Sequence, residues 1–306
     1  MLKPMCEYNV GNTPLYELPP INGNKLFIKV EAANFLGSIK SRTGHALVKG
    51  LKVPRDCTII ETSSGNLGLA LDFFCKEDNR PFFCLLDETI VPVKLDYILS
   101  RGINCEIVPT EPGLDARTSR MKRADALTSD GSHFWVNQCD NEDGVAVHRE
   151  TTAHEIFEQT SGEVTSIFCA VGSGGTICGV GEYFKHKSGI AIPAGTTADT
   201  VKVIGAEPYG STIFHKDEGL YISSGAGLKG KPANVVRHAD VIHKCYVIDD
   251  KESIEKFRLL NNEHKINAGL SAGMVFAAAE QHCKNTTGET IVLIAADGAE
   301  YYKKWL

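Results

Sequence analysis

The chain reads as a doubly wound α/β protein with mostly parallel sheets. Short β-rich runs alternate with longer amphipathic ones from end to end. The β-rich runs are continuously apolar rather than alternating, as strands covered by helices on both faces must be. Size adds a third observation: 306 residues are too many for one small module and suit two fused α/β lobes.

Taken in order, strands are expected at 25–31, 58–62, 81–86, 104–109, 134–137, 165–171, 201–206, 244–248 and 290–295. Each is a short β-branched or aromatic run bounded by turn residues. Helices are expected at 42–51, 65–77, 92–101, 115–128, 145–159, 176–187, 251–264 and 272–284. In Leu67-x-x-Ala70-Leu71-x-x-Phe74, for example, the apolar residues fall on one helical face. Segment 189–200, with its Gly, Pro, Ala and Thr, reads as a surface excursion. No internal repeat interrupts the alternation.

Composition excludes several classes. With 42% hydrophobic and 23% charged residues the chain is an ordinary globular protein, and its net charge of −6 lacks the cationic excess of a nucleic-acid or membrane-surface binder. None of the ten cysteines forms a CxxC pair, which removes the zinc-ribbon and thioredoxin-like readings. Several sit in apolar runs, such as Phe82-Phe83-Cys84-Leu85, where cysteine acts as a small buried hydrophobe. The N-terminal residues have no apolar signal core and no window spans a bilayer, so a reduced, cytoplasmic setting is expected. The sequon at Asn285-Thr286-Thr287 means little in that setting.

In doubly wound sheets ligands bind beyond the carboxyl ends of strands, and three turns fit that place. Thr62-Ser63-Ser64-Gly65-Asn66-Leu67-Gly68 joins an apolar strand to a helix pattern. Its hydroxyls and glycines at a helix start make a cradle for a carboxylate or phosphate, although Ser63 or Ser64 as a simple helix cap is an equal reading. Val171-Gly172-Ser173-Gly174-Gly175-Thr176 has three glycines in four positions, so its backbone can wrap an anion without Cβ clashes. It lacks a Walker lysine and dinucleotide spacing, so a phosphate monoester fits best; a tight turn is the bland alternative. Ala268-Gly269-Leu270-Ser271-Ala272-Gly273 offers one hydroxyl at a helix start, or a cap.

Gly225-Ala226-Gly227-Leu228-Lys229-Gly230 matches GxGxxG but runs into Lys231-Pro232 rather than a helix, and is rejected as a nicotinamide site. Lys40, in Asn34-Phe35-Leu36-Gly37-Ser38-Ile39-Lys40-Ser41-Arg42, is by itself an ordinary surface lysine. At a ligand edge beside an anion cradle it becomes a Schiff-base candidate.

Together these four segments resemble, in order and spacing, the cysteine synthase / cystathionine β-synthase family, the fold-type II pyridoxal-phosphate enzymes. The resemblance runs from Asn12-Thr13-Pro14-Leu15 to Asp297-Gly298-Ala299-Glu300-Tyr301. It implies a tryptophan synthase β-like architecture: two doubly wound lobes with pyridoxal 5'-phosphate in the cleft between them. The smaller lobe is expected over 36–142, and the larger over 1–35 and 143–306.

The resemblance also implies roles. Lys40 matches the lysine that bonds the cofactor and later serves as general base. Asn66 matches the asparagine facing the ring oxygen, and Gly172, Ser173, Gly174, Gly175 and Thr176 match the phosphate loop. Ser271 matches the serine at the pyridine nitrogen. Ser63, Ser64, Gly65 and Leu67 occupy the substrate-carboxylate loop, and Gln138 in Trp135-Val136-Asn137-Gln138 a further carboxylate contact. His148-Arg149-Glu150-Thr151-Thr152 resembles the family's helix after that glutamine.

The implied reaction is β-replacement on O-phosphoserine or O-acetylserine through an aminoacrylate, with an amino acid or sulfide as nucleophile. The alternatives are a β-eliminating lyase or dehydratase on cysteine or serine, cysteine synthase proper, and a sensor that keeps the fold without the chemistry. Leu67 stands where cysteine synthases carry threonine, Ser63 replaces another threonine, and Phe35 stands where proline is common. Ser-Gly-Asn-Leu-Gly, Asp87-x-x-x-x-Pro92 and the Trp135 segment resemble the siderophore-pathway branch that joins O-phosphoserine to glutamate. The expected partners are small amino-acid substrates, with no nucleic acid, membrane or metal, and family members are usually homodimers. Neither a haem-binding extension nor a C-terminal regulatory domain is expected.

Overall fold

The computed structural model describes residues 2–63, 65–88, 90, 92–186, 201–223 and 225–306. The expected excursion at 189–200 lies outside them, as does Ser64. The strands are β1 (Leu15–Ile21), β2 (Asn24–Val30), β3 (Thr58–Glu61), β4 (Phe82–Asp87), β5 (Cys105–Val108), β6 (His133–Trp135), β7 (Ser166–Ala170), β8 (Lys202–Pro208), β9 (Lys244–Ile248) and β10 (Thr290–Ala295). The helices are α1 (Lys40–Lys49), α2 (Asn66–Glu77), α3 (Pro92–Ser100), α4 (Ala116–Thr128), α5 (Asp143–Val147), α6 (Ala153–Gln159), α7 (Gly175–His186), α8 (Ala233–Arg237), α9 (Asp250–Arg258) and α10 (Leu270–Cys283). A π turn, His148–Thr152, joins α5 to α6, and a second, Leu259–Glu263, extends α9.

Two sheets result, ordered β1-β2-β10-β7-β8-β9 and β5-β4-β3-β6. Every pairing is parallel except β1 with β2. The apolar continuity of the strands has its expected cause. In β10, Ile291, Leu293 and Ala295 enter one core with α10, while Val292 and Ile294 enter the other with Ile156, Ile177 and Phe184. In β4, Phe82, Cys84 and Leu86 pack on one face and Phe83 and Leu85 on the other. Buried on both faces, α10 has no polar stripe.

Strand β1 escapes the alternation rule. Its Pro19-Pro20 pair reads as a breaker, yet it is an antiparallel edge strand whose register shifts between Leu18 and Ile21, where missing N–H groups are tolerated. All ten cysteines are unpaired and six are buried, as their apolar settings suggest. Among the described residues no helix is long and apolar enough to cross a membrane, and no three His, Cys, Asp or Glu side chains gather to hold a metal.

One polar cluster lies inside the fold. Fully buried Arg42 donates from Nε to Glu31 at 2.8 Å, from Nη1 to Glu155 at 2.6 Å, and from Nη2 to both carboxylates and Thr13 Oγ1. Lys29 donates to Glu155, Gln159 and the Thr13 carbonyl. Two cations meet two anions, with every ammonium hydrogen placed. Burial alone would raise the Glu155 carboxyl, but Arg42 and Lys29 outweigh it and hold it at about 2.

Arg42→Met should therefore leave two buried carboxylates short of a partner and cost about 3–5 kcal/mol, read as a lowered urea midpoint. Since the folded pKa of Glu155 lies below its ordinary 4.5, the stability it contributes is present above that value and lost as pH falls towards 2. In an acid titration Glu155→Gln should flatten the fall in stability through this window.

Candidate active site

A cleft of about 250 Å³ crosses the carboxyl ends of β3, β7 and β10, where an open α/β sheet places a ligand. It gathers all the expected site residues except Ser64: Lys40, Ser63, Gly65, Asn66, Leu67, Gln138, the 172–176 turn and Ser271 all line it.

Lys40 is the first residue of α1, two residues before Arg42. The segment before it is stitched to the end of β10, with Ile39 N donating to the Ala296 carbonyl at 2.8 Å and Ser38 bridging Asp297. Lys40 Nζ donates to Gln138 Oε1 at 3.2 Å. Gln138 is itself pinned, its N–H donating to Glu61 and its carbonyl accepting from Asn234 Nδ2. Burial pushes the Lys40 amine below the ordinary lysine value, against the opposing pull of Cys139 and Glu61. Glu61 sits just before the 62–68 turn and accepts from Thr62, Trp135 and Gln138. Burial raises its carboxyl despite those donors.

Of the turns read as cradles or caps, the one before α10 resolves, because Ser271 lies inside the helix and is not its N-cap. The N-cap of α2 is Gly65 and that of α10 is Gly269, and among the described residues no side chain caps the first-turn N–H groups of either helix. Both helix starts line the cleft. Ser271 sits inside the first turn of α10, and among the described residues its hydroxyl has no protein partner. Asn66 Nδ2 donates to Asp297 Oδ2 at 3.0 Å. Leu67 is 2% exposed, its side chain packed in the core with Ile59, Leu71 and Phe74.

The 172–176 turn leads directly into α7. Gly174 has a φ of +89°, which favours glycine. A Cβ on Gly172 would lie 2.6 Å from the Gly225 carbonyl oxygen, and one on Gly175 would lie 2.8 Å from that of Gly144. Asn234 Nδ2 also donates to the Ser173 carbonyl, tying this turn to Gln138.

Sequence reasoning missed several cleft residues. Gly225, Gly227 and Leu228 of the dismissed GxGxxG line it, and Gly227 N donates to the Val171 carbonyl at 2.7 Å. The glycines carried a real signal, positive φ at +83° and +78°, but not a nicotinamide one. Cys139, Asp297, Tyr302 and Arg120 also line the cleft; Arg120 pairs with Asp87 at 3.2 Å. Nothing local in the sequence marks these four, because tertiary contact alone brings them in.

The profile of the family described as "Pyridoxal-phosphate dependent enzyme" matches residues 6–297. The chain belongs to this family.

It is 30% identical to cysteine synthase 1 of Emericella nidulans over 97% of this chain and 84% of that one. Its fold is similar to a hydrogen sulfide-producing enzyme of Fusobacterium nucleatum, with TM-score 0.85, 25% identity, and coverage of 99% and 98% of the two chains. It is equally similar to an O-acetylserine dependent cystathionine beta-synthase of Helicobacter pylori, with TM-score 0.84, 26% identity and coverage of 99% and 98%.

As a pyridoxal-phosphate dependent enzyme the chain must hold an aldehyde and a phosphate, and its residues fit both. A desolvated amine waits at one end of the cleft, and a glycine turn too crowded for any Cβ opens a helix N-terminus at the other. Two outcomes follow. Capture of pyridoxal phosphate by the apo-protein, followed by absorbance, requires the neutral amine, so its rate should rise with pH and level off below 10.5, the ordinary lysine value. Gly172→Ala must displace the Gly225 backbone, whose carbonyl oxygen a Cβ would meet at 2.6 Å, and should weaken cofactor affinity at least tenfold in a fluorescence titration.

Proposed function

We propose that this enzyme replaces the β-substituent of a serine-derived amino acid, with Lys40 as its catalytic residue. The observation that carries this reading is the placement of the buried Lys40 amine against Gln138, in one cleft with the start of α2.

In this reading Gly172, Ser173, Gly174, Gly175 and Thr176 hold the cofactor's phosphate, Asn66 its ring oxygen and Ser271 its ring nitrogen. Pyridoxal phosphate, when bound, supplies the electron sink for charge developed at the substrate α-carbon. Lys40 holds the cofactor through Nζ and, once freed by substrate, takes the α-proton on that same nitrogen. The bond from Cβ to the leaving group then breaks, a nucleophile bonds to Cβ and gives up its proton, and Lys40 returns its proton to Cα. Ser63, Ser64, Gly65 and the N–H of Leu67 receive the substrate carboxylate at the α2 start, with Gln138 beside them. Leu67 offers no hydroxyl there, since its side chain is spent in the core.

The charged side chains of the cleft bear on which substituent and co-substrate it takes. Among the described residues they are Lys40, Arg120 and Asp297. With Lys40 committed to the cofactor, Arg120 is the cation left to meet an anion: it is largely buried, pairs through Nη2 with Asp87 and donates from Nε to the Ala116 carbonyl, which among the described residues leaves Nη1 for a phosphate or carboxylate. This supports O-phosphoserine as leaving-group donor, or an acidic amino acid as nucleophile, ahead of sulfide. We further read residues 36–142 and the remainder as two lobes that meet at the cleft, the chain as a homodimer, and its unpaired cysteines as suited to the cytoplasm.

The test is a substrate screen by mass spectrometry, with O-phosphoserine, O-acetylserine, serine and cysteine, each with and without sulfide or amino acids. A new amino acid formed only when a nucleophile is supplied supports replacement. Pyruvate from serine or cysteine without one would make the enzyme a lyase. Lys40→Ala should abolish turnover, and Arg120→Gln should raise KM for O-phosphoserine about tenfold more than for O-acetylserine, the worth of one charged hydrogen bond.

A further inference from the structure

His148 is a buried titratable group that the proposed chemistry does not use. It begins the π turn between α5 and α6, and such turns gather at functional sites. Its ring meets hydroxyls from three elements. Nδ1 lies 2.9 Å from Thr152 Oγ1, and Nε2 lies 3.1 Å from Thr43 Oγ1 and 3.4 Å from Thr176 Oγ1. Thr43 is on α1, three residues after Lys40, and Thr176 closes the glycine turn. Among the described residues no carboxylate or amide bonds to the ring.

The surroundings fix its chemistry. Burial, with Lys40 and Arg42 adding to it and the more distant Glu155 opposing, puts its pKa well below the ordinary histidine value. The ring is therefore neutral and has one N–H to give. Close packing holds it in place: a Cβ on Gly179 would lie 2.8 Å from His148 Cβ and 2.2 Å from the Val145 carbonyl oxygen.

An anion at the turn needs donors. If the Thr176 oxygen accepts from within, its own O–H is kept for the cleft, and Nε2 is the group within reach to donate. We infer that His148 is a positioning residue for the cofactor's phosphate: Thr152 O–H donates to Nδ1, Nε2–H donates to Thr176 Oγ1, and Thr176 O–H is thereby aimed at the phosphate. Thr43 Oγ1 shares the Nε2–H, which ties the Lys40 helix to the phosphate turn. This rests on the reading of 172–176 as the phosphate loop.

The test uses the full chain with pyridoxal phosphate, as wild type, His148→Gln and His148→Asn. The glutamine amide reaches the Nε2 position and the asparagine amide only the Nδ1 position. In the wild-type holoenzyme, ¹⁵N NMR of labelled histidine should show His148 as the Nε2–H tautomer. His148→Asn should weaken cofactor affinity about tenfold, one hydrogen bond's worth, and shift the ³¹P resonance of the bound phosphate. His148→Gln should recover most of both. An Nδ1–H tautomer would overturn the inference, and that measurement stands even if the variants fail to fold. So would equal melting losses in apo and holo forms of His148→Asn with an unmoved ³¹P resonance, the mark of a purely structural histidine. Wild type that binds no pyridoxal phosphate would instead overturn the reading of the site itself.

Discussion

The buried ion cluster around Arg42 is the constraint on which the site depends. It joins three stretches far apart in sequence: Lys29 and Glu31 at the end of β2, Arg42 on α1, and Glu155 on α6. Such a cluster is costly when incomplete and near neutral when every donor and acceptor is placed. Here all three Lys29 hydrogens and all the guanidinium nitrogens of Arg42 have partners. Its effect is geometric. A helix anchored this way cannot slide or turn without exposing four charges to apolar surroundings, so the lysine two residues earlier keeps its place at the mouth of the large sheet.

The same logic governs the opposite end of the cleft, with size in place of charge. Helix α7 approaches the 143–152 segment so closely that neither Gly175 nor Gly179 has room for a Cβ. The π turn there adds one residue to the helical repeat and brings His148 against α1 and α7 together. Charge thus fixes the amine and close packing fixes the anion turn. Both act through the 143–159 helix, which carries Glu155 towards one and His148 towards the other.

This division explains what was legible in the sequence. Strands such as β10 and helices such as α2 are visible because burial on two faces, or on one helical face, leaves a periodic trace. The turn residues are visible because anion cradles need glycine and small hydroxyls, and these stand next to one another in the chain. The ion cluster leaves no local trace: Arg42, Glu31 and Glu155 each read as surface charges until the fold buries them. Arg120, Asp297 and Asn234 are hidden for the same reason. Strand β1 was missed because Pro19-Pro20 speaks against a strand, and only its edge position makes the pair acceptable. The GxGxxG segment is the converse case, where the glycines were needed but for backbone proximity to Gly172 rather than for a nucleotide.

The cleft is also divided by origin, and this bears on specificity. The glycine turn and Ser271 lie at the ends of β7 and β10 or on the helices packed there, and Lys40 stands at the seam, its preceding residue bonded to the end of β10 and its helix packed into the core of the four-stranded sheet. Ser63, Leu67, Arg120 and Gln138 lie on the loops and helices of the four-stranded sheet. Hydrogen bonds that cross between the two include Lys40 Nζ to Gln138 Oε1, Asn66 Nδ2 to Asp297 Oδ2, Asn234 Nδ2 to the Gln138 carbonyl, and the exposed bond from Arg117 Nη1 to the Lys229 carbonyl at 2.9 Å. Exchanging Arg120 alters the surroundings of the substrate without touching the ion cluster or the close-packed turn, whereas exchanging Leu67 also repacks the core of the four-stranded sheet. A fold organised in this way can retain one cofactor while its second substrate changes, which is why the resemblance carried by Lys40 and the glycine turn speaks to the cofactor, and the substrate must be read from the other sheet.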